Sequence, residues 1–497
     1  MPGRNAPPVR WNVVPYGMSG SIKSSAPGMK ALPSKQLERL EGWAMLARSM
    51  GYVYRPSTLD GVHEVLKLAR DSGRSVVPRG SGFSYGDTSM NSENLVLETR
   101  RLNRILDWDP GRGVIRIEPG VSIGQLWRYT LEDGWWPAVV PGTMYPTLGG
   151  CSSTNVHGKN HWKVGSLGEQ ILAFELLLPS GDVMSCSPDE NADVYHAAIG
   201  GLGMLGIFAS LTFQLEKVPS GLLKIEEQIA GSLDEMFDIF EDGLDRADHL
   251  LGWIDGYARG RSLGRGIVQL ANPYCEDPEP QNTLRPAFQD LPDTLFGVIP
   301  RSALWRVMKL GANDFGLRAL NTTRYTLGAL RPGRTTLVPH SQFHFILDYV
   351  PNWKWAFRPG GIIQYQSFVP KDAAREVYRA LLQGSQEAGF VPDLAVFKRH
   401  KPDPFLLSYS VDGYSLALDY HQTPANERRL QEMLRRFTRE IVLPGGGRFY
   451  PAKDNALDRE SFSRSLSAGA VEEYLAIKAR LDPEGVLQSD LYRRVFG

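Results

Sequence analysis

The chain of 497 residues balances 55 lysines and arginines against 55 aspartates and glutamates, and 42% of it is apolar. That neutrality leaves no electrostatic footprint for nucleic acid, and the composition is that of a folded globular protein. Cys151, Cys186 and Cys275 have neither C-x-x-C nor metal-ligand spacing, which argues against a zinc site, an iron–sulfur cluster or a disulfide framework. The length exceeds one ordinary core, so two domains or one elaborated domain are expected. The N-terminus lacks an apolar signal-type core, and nowhere do about 18 uncharged apolar residues run together. The expectation is therefore a cytoplasmic protein with reduced thiols, with peripheral membrane contact left open.

Residues 1–35 are rich in Pro, Gly and Ser and read as an arm. Residues 34–49 have helical spacing, Tyr52–Arg55 reads as a short strand, and P-S-T-L-D-G-V-H-E-V-L-K-L-A-R-D-S-G as a helix. Ser57 or Thr58 is placed to cap that helix and Gly73 to stop it. The strand R-S-V-V-P-R-G then runs into R-G-S-G-F-S-Y-G-D (79–87). A G-x-G directly after a strand is the composition of a phosphate-contacting loop, although alone it is more often an ordinary turn. No G-x-G-x-x-G opens a helix here, which disfavours a nicotinamide-binding Rossmann domain. Strands L-V-L-E-T and G-V-I-R-I-E-P-G follow, then a helix from Ser122 that Gly134 closes.

The stretch Pro141–Gly168 concentrates six glycines among Thr and Ser hydroxyls and Asn155. It reads as too polar and glycine-rich for a core helix or buried strand. Its backbone can come close to a ligand, with free N–H groups lining an anion site; the alternative is a long surface loop. A hairpin turning at Pro179–Asp182, the glycine cluster at 200–206 and a strand from Ile207 complete an α+β unit ending near Lys217. Beyond Pro219, larger amphipathic segments alternate with strands. Residues 273–335 form a long excursion without steady period, of the kind found in lids, binding loops or disordered segments. Strands are expected at Phe343–Val350, Gly361–Val369, Ala395–Arg399, Pro404–Ser410 and Tyr414–His421, with helices at Lys371–Ala388 and Ala425–Val442.

The R-G-S-G-F-S-Y-G-D turn, the central stretch and the glycine cluster together resemble the vanillyl-alcohol-oxidase-type (PCMH-type) flavoproteins. H-G-K-N-H (157–161), S-L-G-R-G (262–266), G-I-I-Q-Y-Q (361–366), V-F-K-R (396–399) and R-F-Y-P-A-K-D (448–454) resemble, within them, the decaprenylphosphoryl-ribose 2′-oxidase group. The resemblance implies an α+β fold with a two-part FAD-binding domain at 36–217. It implies a substrate domain with a mixed or antiparallel sheet at 218–440, and a segment at 441–497 that returns to the flavin. Arg79, Gly80, Ser81, Gly82, Phe83, Ser84, Tyr85 and Gly86 would form the pyrophosphate loop. Gly142, Thr147, Leu148, Gly149, Gly150, Thr154, Asn155, Val156, His157, Gly206, Ile207 and Tyr450 would complete the FAD cradle. Where many relatives carry a His that bonds covalently to the flavin, this chain has Phe83, which implies non-covalent FAD.

The implied activity is oxidation of a sugar-type secondary alcohol, free or linked to a polyprenyl phosphate, with a short-chain dehydrogenase/reductase partner to complete an epimerisation. Aldonolactone or alditol oxidation with O₂, alkene reduction of the sterol type, and a non-catalytic flavin module are the alternatives. Lys453 resembles the lysine that stabilises reduced flavin, against the reading of a solvated surface charge. His157 either orients the flavin, takes the hydroxyl proton, or is a satisfied core histidine. Gln364 and Gln366 share one strand face, which suits sugar hydroxyls. Lys159, Lys398 and Tyr85 are further candidates for substrate contact. Ala417 and Ser415 stand where the resembled group carries Cys and Asn, which alters the substrate wall. Basic and apolar residues within 273–335 could rest on a membrane or on the protein itself.

Overall fold

In the computed structural model, which describes residues 31–276, 282–295, 299–453 and 456–497, three main sheets follow one another along the chain. Most of the expected N-terminal arm lies outside the described residues. The first sheet has the strand order Leu37–Glu41, Arg48–Tyr54, Leu95–Glu98, Val76–Arg79. Its last three strands run parallel, so a crossover is needed, and the helix Leu59–Asp71 supplies it. Thr58 caps that helix by accepting from the Gly61 amide at 3.2 Å, and Gly73, at φ +61°, ends it. The second sheet is antiparallel, in the order Ile105–Asp109, Val114–Ile117, Ile207–Gln214, Ile171–Leu177, Val183–Cys186. The expected hairpin forms at Pro179–Asp182. The two sheets together are an α+β unit.

The third sheet has eight antiparallel strands, in the order Thr335–Pro339, Leu222–Ala230, Gly266–Pro273, His249–Ile254, Leu394–His400, Gly413–Gln422, Gly361–Pro370, Arg448–Phe449. The helices Leu233–Gly243 and Lys371–Glu387 cover one face, packing Phe237, Phe240 and Tyr378 against Phe397. Strand alternation sends Phe397, Leu416 and Leu418 into that apolar layer and leaves Val396, Lys398, Ser415, Ala417 and Asp419 on the opposite face. The C-terminal segment returns to the first sheet, where the Val76 amide donates to Val486 and the Gln488 amide to Val76. Arg494 makes a paired contact with Asp87 at 2.9 and 3.1 Å.

Four expectations about elements are corrected. Residues 34–49 form strands of a hairpin, not a helix, because Gly42 lies against the Tyr85 and Gly86 carbonyls and Met45 adopts φ +68°. The central stretch does carry a buried helix, Leu148–Ser153. Thr147 caps it, and the hydroxyls of Ser152, Ser153 and Thr154 bond back to carbonyls four residues earlier at 2.8–2.9 Å. Its polar side chains are thus satisfied by the helix itself. Phe343–Val350 is not a strand: the helix His340–His344 is followed by the 3₁₀ turn Ile346–Asp348, held by Asp348 accepting from Thr143 and the Met144 amide. Pro404–Ser410 is irregular, with the Phe405 and Ser410 amides donating to the Asp403 and Ser408 side chains and the Leu406 amide to the His196 carbonyl. Among the described residues, the excursion 273–335 includes the helices Pro286–Gln289, Leu304–Gly311 and Asp314–Ala329.

A Cβ on Gly42 would sit 2.6 Å from the Tyr85 carbonyl oxygen. Gly42→Ala is expected to cost about 1–3 kcal/mol by forcing backbone apart, read from the denaturation midpoint. An unchanged midpoint would show that the hairpin yields freely.

Candidate active site

A single long cavity runs from the first sheet to the open face of the third. One end is the turn after the strand Val76–Arg79. The backbone N–H groups of Gly80, Ser81, Gly82, Phe83 and Ser84 have no hydrogen-bond partner among the described residues, and all five residues line the cavity. Five consecutive free amides make an anion-binding concavity. Gly82 takes φ +70°, a conformation that favours glycine, and a Cβ there would fall 2.3 Å from the Arg79 guanidinium. Trp43 packs on the turn, its amide donating to the Ser84 carbonyl at 2.9 Å and its ring 4.8 Å from that of Tyr85.

The other end is the wall built by the third sheet. Its register sets Gln366 opposite Ala417 and Ala417 opposite Val396, with Gln364 opposite Asp419 in the next row and Lys398 opposite Ser415. Gln364 donates to Asp419 at 2.6 Å. His157 reaches this wall from the central stretch, its Nε2 3.1 Å from the Gln366 amide and its Nδ1 3.4 Å from Lys398 Nζ. Tyr450 packs 5.5 Å from the His157 ring, and Lys453 Nζ lies 3.5 Å above the Tyr85 ring. Lys159 Nζ donates to the Phe343 carbonyl and sits 3.9 Å over that residue's ring.

Burial dominates the electrostatics. It brings the Lys453 ammonium down to about 7, with Asp419 opposing the shift and Lys398 adding to it. It brings Lys398 down to about 8 and raises the Asp419 carboxyl to about 6, where Gln364 and Lys453 oppose it. Burial, then Lys398, pushes His157 well below the ordinary imidazole value, so it stands neutral. Burial likewise pushes the Cys151 thiol up to about 12, which makes this cavity-lining cysteine inert.

Of the expected site residues, Arg79, Gly86, Leu148 and Asn155 do not line the cavity; they stand behind its wall. Arg79 braces the turn through Ser89 and the Glu41 carbonyl. Leu148 is buried, its amide on the Val121 carbonyl. Asn155 accepts from the Gly168 amide at 2.9 Å, and Gly86 packs against Gly42. Every other candidate lines the cavity: Gly80 to Tyr85, Gly142, Thr147, Gly149, Gly150, Thr154, Val156, His157, Lys159, Gly206, Ile207, Gln364, Gln366, Lys398, Ser415, Ala417, Tyr450 and Lys453. Sequence reasoning missed Asp419, although it continues the Ser415, Ala417 alternation on the same strand. It also missed Trp43, Trp253 and Arg324, which no local pattern ties to the cavity, and His400, whose Nε2 lies 2.8 Å from Ser415 Oγ.

A family model described as an FAD binding domain matches residues 50–187, spanning the amide-lined turn and the central stretch. The fold and the site thus define an FAD-linked oxidoreductase of the PCMH type. The chain is 30% identical over 465 residues to decaprenylphosphoryl-beta-D-ribose oxidase of Mycolicibacterium smegmatis, an alignment covering 92% of this chain and 97% of that protein. It is 24% identical over 494 residues to a putative D-arabinono-1,4-lactone oxidase of Neurospora crassa, covering 91% and 84% of the two chains. With L-gulonolactone oxidase of Mus musculus it shares 29% identity over 196 residues, 39% of this chain and 43% of that one. The chain belongs to the family of the mycobacterial decaprenylphosphoryl-ribose oxidase, and its cofactor is FAD. The cavity fits that group: a row of free amides suits a pyrophosphate, and cationic side chains at the far end suit a ring system that gains negative charge.

Between about 7 and the ordinary lysine value of 10.5, the unfolded chain holds a proton on Lys453 that the folded chain does not. Stability should therefore rise with pH across that window. Asp419 acts lower down: between 3.8 and about 6 only the folded chain holds its proton, so stability should fall as pH rises there. Replacing Lys453 with methionine is expected to reduce the gain in the apoprotein's denaturation midpoint between about pH 7 and pH 9. A slope identical to wild type would show that the ammonium is not desolvated.

Proposed function

We propose that the protein oxidises a secondary alcohol of a sugar, carried on a polyprenyl phosphate, to the ketone. The observation that carries this reading is the wall of Gln364, Gln366, Lys398 and Ser415, hydrogen-bonding groups set on one buried sheet face across a shared cavity from the amide row. The alignment over nearly the full length with an enzyme named for decaprenylphosphoryl ribose supports the substrate class. Bound FAD supplies the hydride acceptor.

The chain's own residues bind, orient and manage one proton. Gln366 and Lys398 fix the His157 ring from both nitrogens, so His157 orients rather than titrates; a proton on it would be repelled by Lys398 and Lys453. The proton acceptor in this scheme is the Lys453–Asp419 couple, which burial keeps close to neutrality from both sides. Taking the hydroxyl proton places an ammonium at Lys453, where it offsets the negative charge that oxidation leaves in the cavity. The side-chain amides of Gln364 and Gln366 hold the sugar hydroxyls, and Phe83, stacked 6.1 Å from Tyr145, offers no nitrogen for a covalent flavin bond. The ketone would pass to a reductase of the short-chain dehydrogenase type to complete an epimerisation. Oxidation of an aldonolactone is the second reading, favoured by the similarity to the Neurospora crassa and Mus musculus proteins.

Anaerobic loss of the flavin absorbance near about 450 nm decides between the two readings. A prenyl-phosphoryl ribose is expected to bleach it, with free aldonolactones and alditols leaving it intact; the reverse pattern moves the protein to the small-substrate oxidases. Lys453→Ala is expected to lower kcat/KM by about 10²–10³, and full turnover in an FAD-loaded variant would remove Lys453 from the chemistry. Acid precipitation should leave a colourless pellet and a yellow supernatant, whereas a yellow pellet would mean a covalent flavin.

A further inference from the structure

Residues 301–334 carry seven basic side chains (Arg301, Arg306, Lys309, Arg318, Arg324, Arg331, Arg334) and one acidic one, Asp314, in a chain of zero net charge. Arg301 is spent on backbone carbonyls of Asp348 and Tyr349, and Arg324 lies 4.4 Å over the Trp253 ring at the cavity. The other five are exposed, and none is paired with a carboxylate among the described residues.

The helix Asp314–Ala329 has two different faces. Asn321, Tyr325 and Gly328 turn inward, with Asn321 buried, Tyr325 under Arg265, and Gly328 against Ile229 and Ile267 of the third sheet. On the outward side stand Phe315 (84% exposed), Leu320, Leu327 and, just past the helix, Leu330 (71%). The preceding helix, Leu304–Gly311, rests Trp305 against Trp355 and turns Val307, Met308 and Leu310 (81%) to the outside. Seven large apolar side chains stand exposed on two successive helices and the residue that follows them, far more than scattered surface residues explain.

We propose that these two helices dock the protein on an anionic lipid surface. Apolar side chains flanked by unpaired Arg and Lys are the chemistry of an interfacial helix, with the apolar groups entering the acyl boundary and the cations meeting lipid phosphates. A protein partner would need carboxylates to match five cations that none of the described carboxylates pairs, as well as an apolar seat; an anionic bilayer supplies both over any area. The placement has a consequence for entry. Arg324 belongs to the docking helix, yet its side chain lines the cavity, so the same element that meets the lipid phosphates also borders the site. A substrate anchored in that surface would reach the cavity without leaving it, which rests on the lipid-linked reading given above; the docking itself does not.

Sedimentation of the full-length FAD-loaded protein with vesicles tests this. The vesicles contain about 30% phosphatidylglycerol in phosphatidylcholine, or phosphatidylcholine alone. Binding is expected to the anionic vesicles only and to be released by about 0.5 M salt. It should fall by about tenfold or more in Phe315→Asp/Leu327→Asp and in Arg306→Glu/Lys309→Glu, with FAD content and thermal midpoint unchanged. Wild-type protein that stays in the supernatant, or variants that sediment like wild type, would overturn the proposal. So would a wild-type dimer that Phe315→Asp dissociates, since that assigns the face to a second copy. The variants should turn over a short-chain, water-soluble prenyl-phosphoryl ribose with unchanged kcat/KM. If no such alcohol is oxidised while vesicle binding holds, the substrate reading fails and the docking surface stands.

Discussion

Four cationic side chains, Lys159, Arg324, Lys398 and Lys453, line the cavity, and Asp419 is the one carboxylate among its described lining residues. That imbalance governs the rest. A cation taken out of water is costly, and the protein answers with aromatic faces, a carbonyl and a carboxylate: the Phe343 ring and carbonyl for Lys159, and Tyr85 together with Asp419 for Lys453. The aromatic contacts hold a charge in place without neutralising it. The cavity therefore stays short of negative charge, the condition under which an anionic cofactor and a developing negative charge are both welcome.

Placing those side chains depends on the third sheet. Its strands bury one face under two helices with phenylalanine, leucine and tyrosine, so the opposite face is free to carry polar groups at fixed register. A slip of one residue in Gly413–Gln422 would exchange Ser415, Ala417 and Asp419 for Leu416 and Leu418 at the wall. The apolar layer prevents this, and core packing and site geometry are one constraint. The first sheet works differently. There the cavity face is backbone, five amides left open by a turn that Trp43 and Arg79 hold in place.

The buried histidines extend the wall. His157, His400 and His161 stand in contact, with ring centroids 5.2 and 4.5 Å apart, and burial drives all three below the ordinary imidazole range. His400 joins Ser415 at the cavity, while His161 joins Ser410 behind it. Neutral imidazoles pack where protonated ones would repel Lys398. The lysines and the histidines thus keep one another's charge in check.

Local chemistry was legible in the sequence. The cap at Thr58, the stop at Gly73, the hairpin at Pro179–Asp182 and the shared face of Gln364 and Gln366 follow from short-range backbone and side-chain rules, and the structure repeats them. The glycine-rich turn and the family motifs pointed to a flavin for the same reason: spacing along a few residues carries that signal. Where packing decides, the sequence misled. The hydroxyls of 152–154 argued against a helix that they in fact complete, and Gly42 broke a helical pattern because a distant backbone occupies its Cβ position. Only the tertiary structure could set Asp419 beside Gln364, show Arg79 bracing the turn through the Glu41 carbonyl, and show that 301–334 keeps one face on the sheet and the other in solvent. Those outcomes depend on which surfaces meet across hundreds of residues, and no local spacing encodes that.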